Sequence, residues 1–84
     1  MKRTLVPQEE LLSWMNSQLA KYEECTDCRF TSVQQLREED EHGCNWSPHN
    51  LRCSGVPAQV CRPIAEGIAA QAMKKFNVQW SGVA

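Results

Sequence analysis

Two stretches determine how this chain folds, CTDCRFTSVQQLR (residues 25–37) and CNWSPHNLRC (residues 44–53). The first stretch turns at Thr26-Asp27 and then becomes rich in residues that favour β-strands. A charged run, Glu38 to Gly43, predicts the loop after it. The second stretch is therefore expected to return as the antiparallel partner of the first.

The hydrophobic pattern of this predicted hairpin is irregular. Phe30 and Leu36 are an even number of residues apart, so in a regular strand their side chains would share one face, whereas Val33 would point to the other face. This predicts either a β-bulge near Ser32 or apolar cover on both faces of the strand. Pro48 cannot donate to a strand ladder, so it is expected on an open edge or at a break in the strand.

A helix is predicted before the hairpin, from Pro7 to about Tyr22. Its apolar face has the spacing of an amphipathic helix and comprises Leu11, Leu12, Met15, Leu19 and Tyr22. Glu9 and Glu10 lie in the first turn, where negative charge suits the helix dipole. Trp14 lies at the edge of the apolar face, and we interpret it as a core residue rather than a partner contact.

A second helix is predicted after Gly55 and Pro57, with Ser54 as its cap. Its contiguous apolar face comprises Val60, Cys61, Ile64, Ala65, Ile68, Ala72 and Phe76. Pro63 leaves two alternatives open: it begins the true helix after a separate short turn, or it lies inside one longer helix.

The predicted fold is thus α+β, a small αββα domain with two helices packed on a two-stranded antiparallel hairpin. The 84 residues form a single domain, in which residues 1–6 and 78–84 are expected to be flexible ends. A lone hairpin leaves two open edges, which a second copy would cover. The fold therefore predicts a homodimer or a protein partner.

Four of the five cysteines are predicted to meet at one end of the domain. If Arg37 pairs with Cys44 across the loop, the antiparallel register places Cys28 opposite Cys53. Cys25 and Cys61 flank this pair at the two junctions between helix and strand. Four thiolates suit tetrahedral zinc, so the predicted metal ligands are Cys25, Cys28, Cys53 and Cys61.

The spacing of these cysteines leaves other interpretations open. Cys53 and Cys61 are eight positions apart, unlike the close second pair of a zinc ribbon. Buried thiols, sometimes paired, would serve equally well as small apolar residues. Cys44 stands apart from the four, near His42 and His49. The simplest interpretation of these histidines is that they are solvated loop residues, and the alternative is a metal site or a Cys/His nucleophile pair.

Composition excludes several classes of function. Nine basic against ten acidic residues give a net charge of −1 with no basic run, so nucleic-acid binding is not expected. No window approaches the length of a membrane span, so no membrane contact is expected. Pro7, Glu9 and Glu10 interrupt the start before an apolar stretch develops, which predicts a cytoplasmic protein.

The function predicted from these features is a small non-enzymatic binding or adaptor domain, stabilised by zinc. No catalytic residues are identified, because no acid–base pair, phosphate loop or nucleophile triad is present. Trp46 and His49 are the candidate partner-binding residues, although Trp46 would also serve to close the core. The alternative function is a thiol-dependent redox or metal-transfer protein that uses the four converging cysteines.

Overall fold

The computed structural model describes residues 3–39, 41, 43–55 and 57–80, with His49 described through its backbone only. A short 3₁₀ helix, Glu23–Cys25, follows the first α-helix. The other elements, in chain order, are β1 (Thr4–Val6), α1 (Gln8–Leu19), β2 (Cys28–Gln35), β3 (Trp46–Cys53), α2 (Ala58–Lys75) and β4 (Phe76–Val78). Within the described ranges, neither helix has the length and apolar character needed to cross a membrane.

The predicted αββα architecture, with two helices on a lone hairpin, is wrong because the fold contains a second sheet. β1 pairs in parallel with β4, so that Thr4 lies opposite Phe76 and Val6 opposite Val78. Residues 4–6 and Val78 are therefore strand residues rather than flexible ends. The same expectation for residues 1–2 and 81–84 falls outside the described residues.

The antiparallel pair β2–β3 has the predicted register at both of its ends. Cys28 lies opposite Cys53, and Gln35 lies opposite Trp46. Between these ends, Thr31 is an extra residue on β2 and His49 an extra residue on β3, since Ser32 pairs with residue 50 and Val33 with residue 48. The predicted bulge near Ser32 is confirmed, and the two irregularities cancel, which restores the register.

Both helices form, with bounds that differ from the prediction. α1 ends at Leu19, and Tyr22 is 45% exposed rather than part of the buried face. α2 contains Pro63, which confirms the alternative of one longer helix. Pro57, not Ser54, is the residue at its N-terminal boundary. Pro57 has extended backbone angles and makes no side-chain cap hydrogen bond.

The core lies between the helices and the β2–β3 ribbon, with Trp46 fully buried at its centre. The indole Nε1 of Trp46 donates to the carbonyl oxygen of Phe76 at 3.0 Å, which ties β3 to the second sheet. Trp14 packs against the core and meets Phe76 edge-on, with ring centroids 5.3 Å apart. The interpretation of Trp14 as a core residue is confirmed.

Candidate functional site

The four converging cysteines form two disulfides. Cys25, at the end of the 3₁₀ helix, is bonded to Cys61 in the first turns of α2. Cys28 is bonded to Cys53, which lies directly opposite it in the ribbon, with Cα atoms 4.0 Å apart. Because Cys25 and Cys28 are only three residues apart, both bridges lie at the same end of the domain, as predicted.

This pairing leaves the zinc expectation without support. Cysteine binds zinc as a thiolate, and a sulfur that is bonded to another sulfur in a disulfide is not a thiolate. In the described part of the chain, no cluster of three or more His, Cys, Asp or Glu side chains is placed to hold a metal ion. Cys44 is in neither bridge; it is buried, and its Sγ donates to the Trp46 carbonyl oxygen at 3.1 Å. The environment of His42 lies outside the described residues.

The disulfides also correct the expected cytoplasmic location. Disulfides persist in oxidising compartments, whereas cytosolic thiols are kept reduced. Two bonded pairs in so small a domain therefore point to an oxidising, extracellular-type environment.

The two bridges differ in their contact with solvent. Cys25 and Cys61 are both 0% exposed. Cys28 is 7% exposed, and Cys53 is only partly buried. A reagent in solution therefore reaches Cys53 more readily than either sulfur of the other bridge.

The structure does not bring the two predicted partner-binding residues together on one surface. Trp46 fills the core, so its indole is not available to a partner. His49 lies in β3, and its side chain is outside the described part of the structure. Its neighbours Pro48 and Asn50 line a groove of about 300 Å³ between β3 and α2. The remaining lining residues are Phe30, Leu51, Arg62, Ala65, Glu66 and Ala69.

The edge of β2 is closed by a side chain of α1. The Phe30 backbone N–H donates to Asn16 Oδ1 at 2.7 Å, and Asn16 Nδ2 donates to the Phe30 carbonyl oxygen at 3.0 Å. One amide side chain thus occupies both backbone groups that a further strand would need at this position.

The same arrangement closes β4. The Val78 backbone N–H donates to Asn45 Oδ1, and Asn45 Nδ2 donates to the Val78 carbonyl oxygen, both at 2.9 Å.

Asn16 and Asn45 were not singled out from the sequence. A polar amide beside the apolar face of a predicted helix, as for Asn16, is the only signal available, and it does not reveal which strand the amide meets.

The edge of β3 has no such asparagine beside it among the described residues. Phe30 and Leu51 are opposite each other, yet the Phe30 N–H and C=O bond to Asn16. Opposed residues of an antiparallel pair either exchange both hydrogen bonds or neither, so the Leu51 groups also point away from the ladder. They face the outer edge of β3, beside the groove. In the described residues, no hydrogen bond to these two groups from outside the ribbon is found.

Comparison with known proteins adds no assignment. No protein-family model matches the chain, and no curated protein or solved structure matches it. The disulfides, the groove and the strand edge therefore carry the information on function.

Proposed function

We propose that this chain is a disulfide-braced, non-enzymatic binding domain whose binding surface is the β3 edge and the groove beside α2. The observation that carries this proposal is the contrast between strand edges. Asn16 occupies the backbone groups of Phe30 in β2, and Asn45 occupies those of Val78 in β4, whereas the Leu51 N–H and C=O face outward next to an open groove. An outward backbone edge of this kind pairs with an added strand.

The partner we propose is a second copy of the chain. Two β3 strands that pair antiparallel about a two-fold axis make a four-stranded sheet. The ribbon is already packed against both helices, so the added strand would not rescue an isolated hairpin; it would give the outward Leu51 N–H and C=O hydrogen-bond partners. A two-fold contact uses the same patch on both copies, as an antiparallel pairing of identical edges requires.

The charges on the groove wall suit this arrangement. Arg62 and Glu66 are exposed, lie one turn apart on α2, and both line the groove. The two α2 helices would run antiparallel across the axis, so that each Arg62 meets Glu66 of the other copy. Ala65 and Ala69 on the same wall have small side chains, which allow a neighbouring helix or strand to approach closely.

Pro48 sets a limit on this contact. It has no N–H, and its place opposite Val33 puts its nitrogen on the outer side of the strand by the alternation of the ladder. Edge pairing is therefore confined to the segment after the proline, residues 50–53. A contact this short should give a dimer that dissociates on dilution.

Sedimentation of charge variants tests the proposal. Arg62→Glu and Glu66→Arg should each weaken the dimer at least tenfold, since each places like charges across the two-fold axis. The double variant Arg62→Glu/Glu66→Arg should restore the dimer, because it exchanges the two charges and keeps the complementarity. Lys21→Glu, an exposed charge reversal outside the groove, is the matched control. A wild-type protein that stays monomeric at millimolar concentration, or a double variant as weak as the single ones, would contradict the proposal.

A second candidate function is thiol–disulfide exchange at Cys28–Cys53, and the partial exposure of Cys53 favours it. An external thiolate would attack Cys53 Sγ, which forms a mixed disulfide and releases Cys28 as a thiolate. A second external thiol would then release Cys53, so the bridge gains two electrons and the two external thiols are oxidised to a disulfide.

Equilibration with glutathione buffers, followed by alkylation and mass spectrometry, tests this second function. The Cys28–Cys53 bridge should open within the range of cellular glutathione potentials while Cys25–Cys61 stays closed and the chain stays folded. If both bridges resist reduction throughout that range, the domain uses its disulfides only as braces.

A further inference from the structure

The outer face of the ribbon carries an open depression of about 480 Å³ near the disulfide end. It is lined by Asp27, Arg29, Thr31, Arg52, Cys53 and Ser54. Phe30 points toward the helices and is buried, so its neighbours in β2 point to the opposite face. The depression is therefore separate from the groove beside α2, and it lies on the other side of the ribbon.

Two arginines stand directly opposite each other in this depression. Arg29 pairs with Arg52 in the ladder, and both side chains are exposed. Like charges directly across an antiparallel pair destabilise a sheet, since the side chains are held close together. Among the described residues, neither guanidinium has an ion pair or a side-chain hydrogen bond that would offset this repulsion.

The other groups in the depression suit an anion, with one exception. Thr31 and Ser54 bring hydroxyl donors to the same surface. Asp27 is the exception, because its carboxylate would repel a negative ligand. Its backbone carbonyl accepts from the Ser54 N–H at 2.9 Å, and its Oδ2 lies 3.8 Å from the point a Gly55 Cβ would occupy. This places the carboxylate toward the Ser54–Gly55 turn.

We propose that this depression binds a phosphate or sulfate group. Guanidinium groups present planar forks of N–H donors that match the oxygens of such groups, often in a bidentate manner. Two guanidiniums from adjacent strands, with two hydroxyls beside them, provide donors from several directions around a tetrahedral anion. Binding would also neutralise the repulsion between Arg29 and Arg52.

Titration with sodium sulfate and with sodium phosphate, followed by NMR of the arginine Nε–H groups, tests this proposal. The signals of Arg29 and Arg52 should shift saturably with either anion and should not shift with sodium chloride at matched ionic strength. Stronger shifts with phosphate than with sulfate would assign the site to phosphate groups, and the reverse would assign it to sulfate groups.

Variants make the test specific to the depression. Arg29→Gln and Arg52→Gln should each weaken binding about tenfold, and Asp27→Asn should strengthen it severalfold. Arg37→Gln, the same change at an exposed arginine beyond β2, should have no effect. Equal shifts in chloride, or an equal loss in Arg37→Gln, would show unspecific charge screening and overturn the proposal. The backbone spectrum of each variant verifies that it is folded.

Discussion

The two outer edges of the β2–β3 ribbon differ in the side chain that faces the backbone groups near their centre. On β2, Asn16 holds the Phe30 N–H and C=O at 2.7 and 3.0 Å. On β3, the corresponding groups of Leu51 face a groove. The β2 edge is closed at Phe30 because α1 places Asn16 beside it. The β3 edge is open at Leu51 because no described side chain is placed beside it in the same way.

This difference shows how a domain with short strands controls its own assembly. An unpaired edge is a site for pairing with other chains, and natural proteins usually block it. Here β2 and β4 are blocked by amide side chains, and Pro48 blocks part of β3. The Leu51 segment faces outward beside the groove, which gives the proposed contact a defined position and length.

The largest expected effect comes from removing the bridge that anchors α2, the wall of the open edge. In Cys25→Ala/Cys61→Ala the unfolded chain loses a cross-link, which costs about 3 kcal/mol of unfolding free energy. Loss of two fully buried sulfurs adds about 1 kcal/mol. Urea denaturation should show this loss, and dimerisation should weaken because the groove wall is no longer held.

The other bridge is the matched control. Cys28→Ala/Cys53→Ala removes a cross-link of similar loop length, 25 residues rather than 36, from a partly exposed site. It should cost less, about 3 kcal/mol, because only Cys28 of the two cysteines is buried and less packing is lost. If it costs more than the buried bridge, the anchoring of α2 is not what holds the open edge in place.

The next effect tests the closed edge. Asn16→Leu keeps the side-chain size but removes both hydrogen bonds to Phe30, and leaves a partly buried N–H and C=O without partners. We expect a loss of about 2–3 kcal/mol in unfolding free energy, together with new association through the exposed β2 edge. Thermal or urea unfolding and sedimentation measure the two consequences.

Gln34→Leu is the control for this substitution. Gln34 is an exposed amide on β2, outside the groove, and its side chain makes no hydrogen bond among the described residues, so replacing it with leucine should alter stability by no more than about 0.5 kcal/mol. A similar loss in both variants would mean that the Asn16 hydrogen bonds do not hold the edge.

The β2–β3 ribbon was predictable because its signals are local. The loop length predicted the register of Cys28 with Cys53, and the irregular alternation of Phe30, Val33 and Leu36 predicted a bulge near Ser32 as one of two alternatives. Convergence of the four cysteines followed from that register. Their chemistry did not follow, since the same convergence suits a metal site, buried thiols or two bridges, and the interrupted start gives no sign of the oxidising environment in which bridges persist.

The second sheet could not be predicted in the same way. β1 and β4 are three residues each, too short for a period-2 pattern. Contacts from distant residues hold β4 in place, the Asn45 amide on Val78 and the Trp46 indole on Phe76. The open groove was missed for the same reason, because it depends on how α2 lies against β3.

The smallest expected effect is a difference in amide hydrogen-exchange rate between the two edges, measured in the unmodified protein. The Phe30 amide donates to Asn16 within the monomer, so it should be protected at every protein concentration. The Leu51 amide faces the open edge, so it should exchange rapidly in dilute protein. Its protection should rise at least tenfold as the dimer forms, because edge pairing gives that N–H an acceptor. Strong protection of Leu51 in dilute protein would show that the edge is already closed in the monomer. Rapid exchange in a sample that sediments as a dimer would place the dimer contact elsewhere.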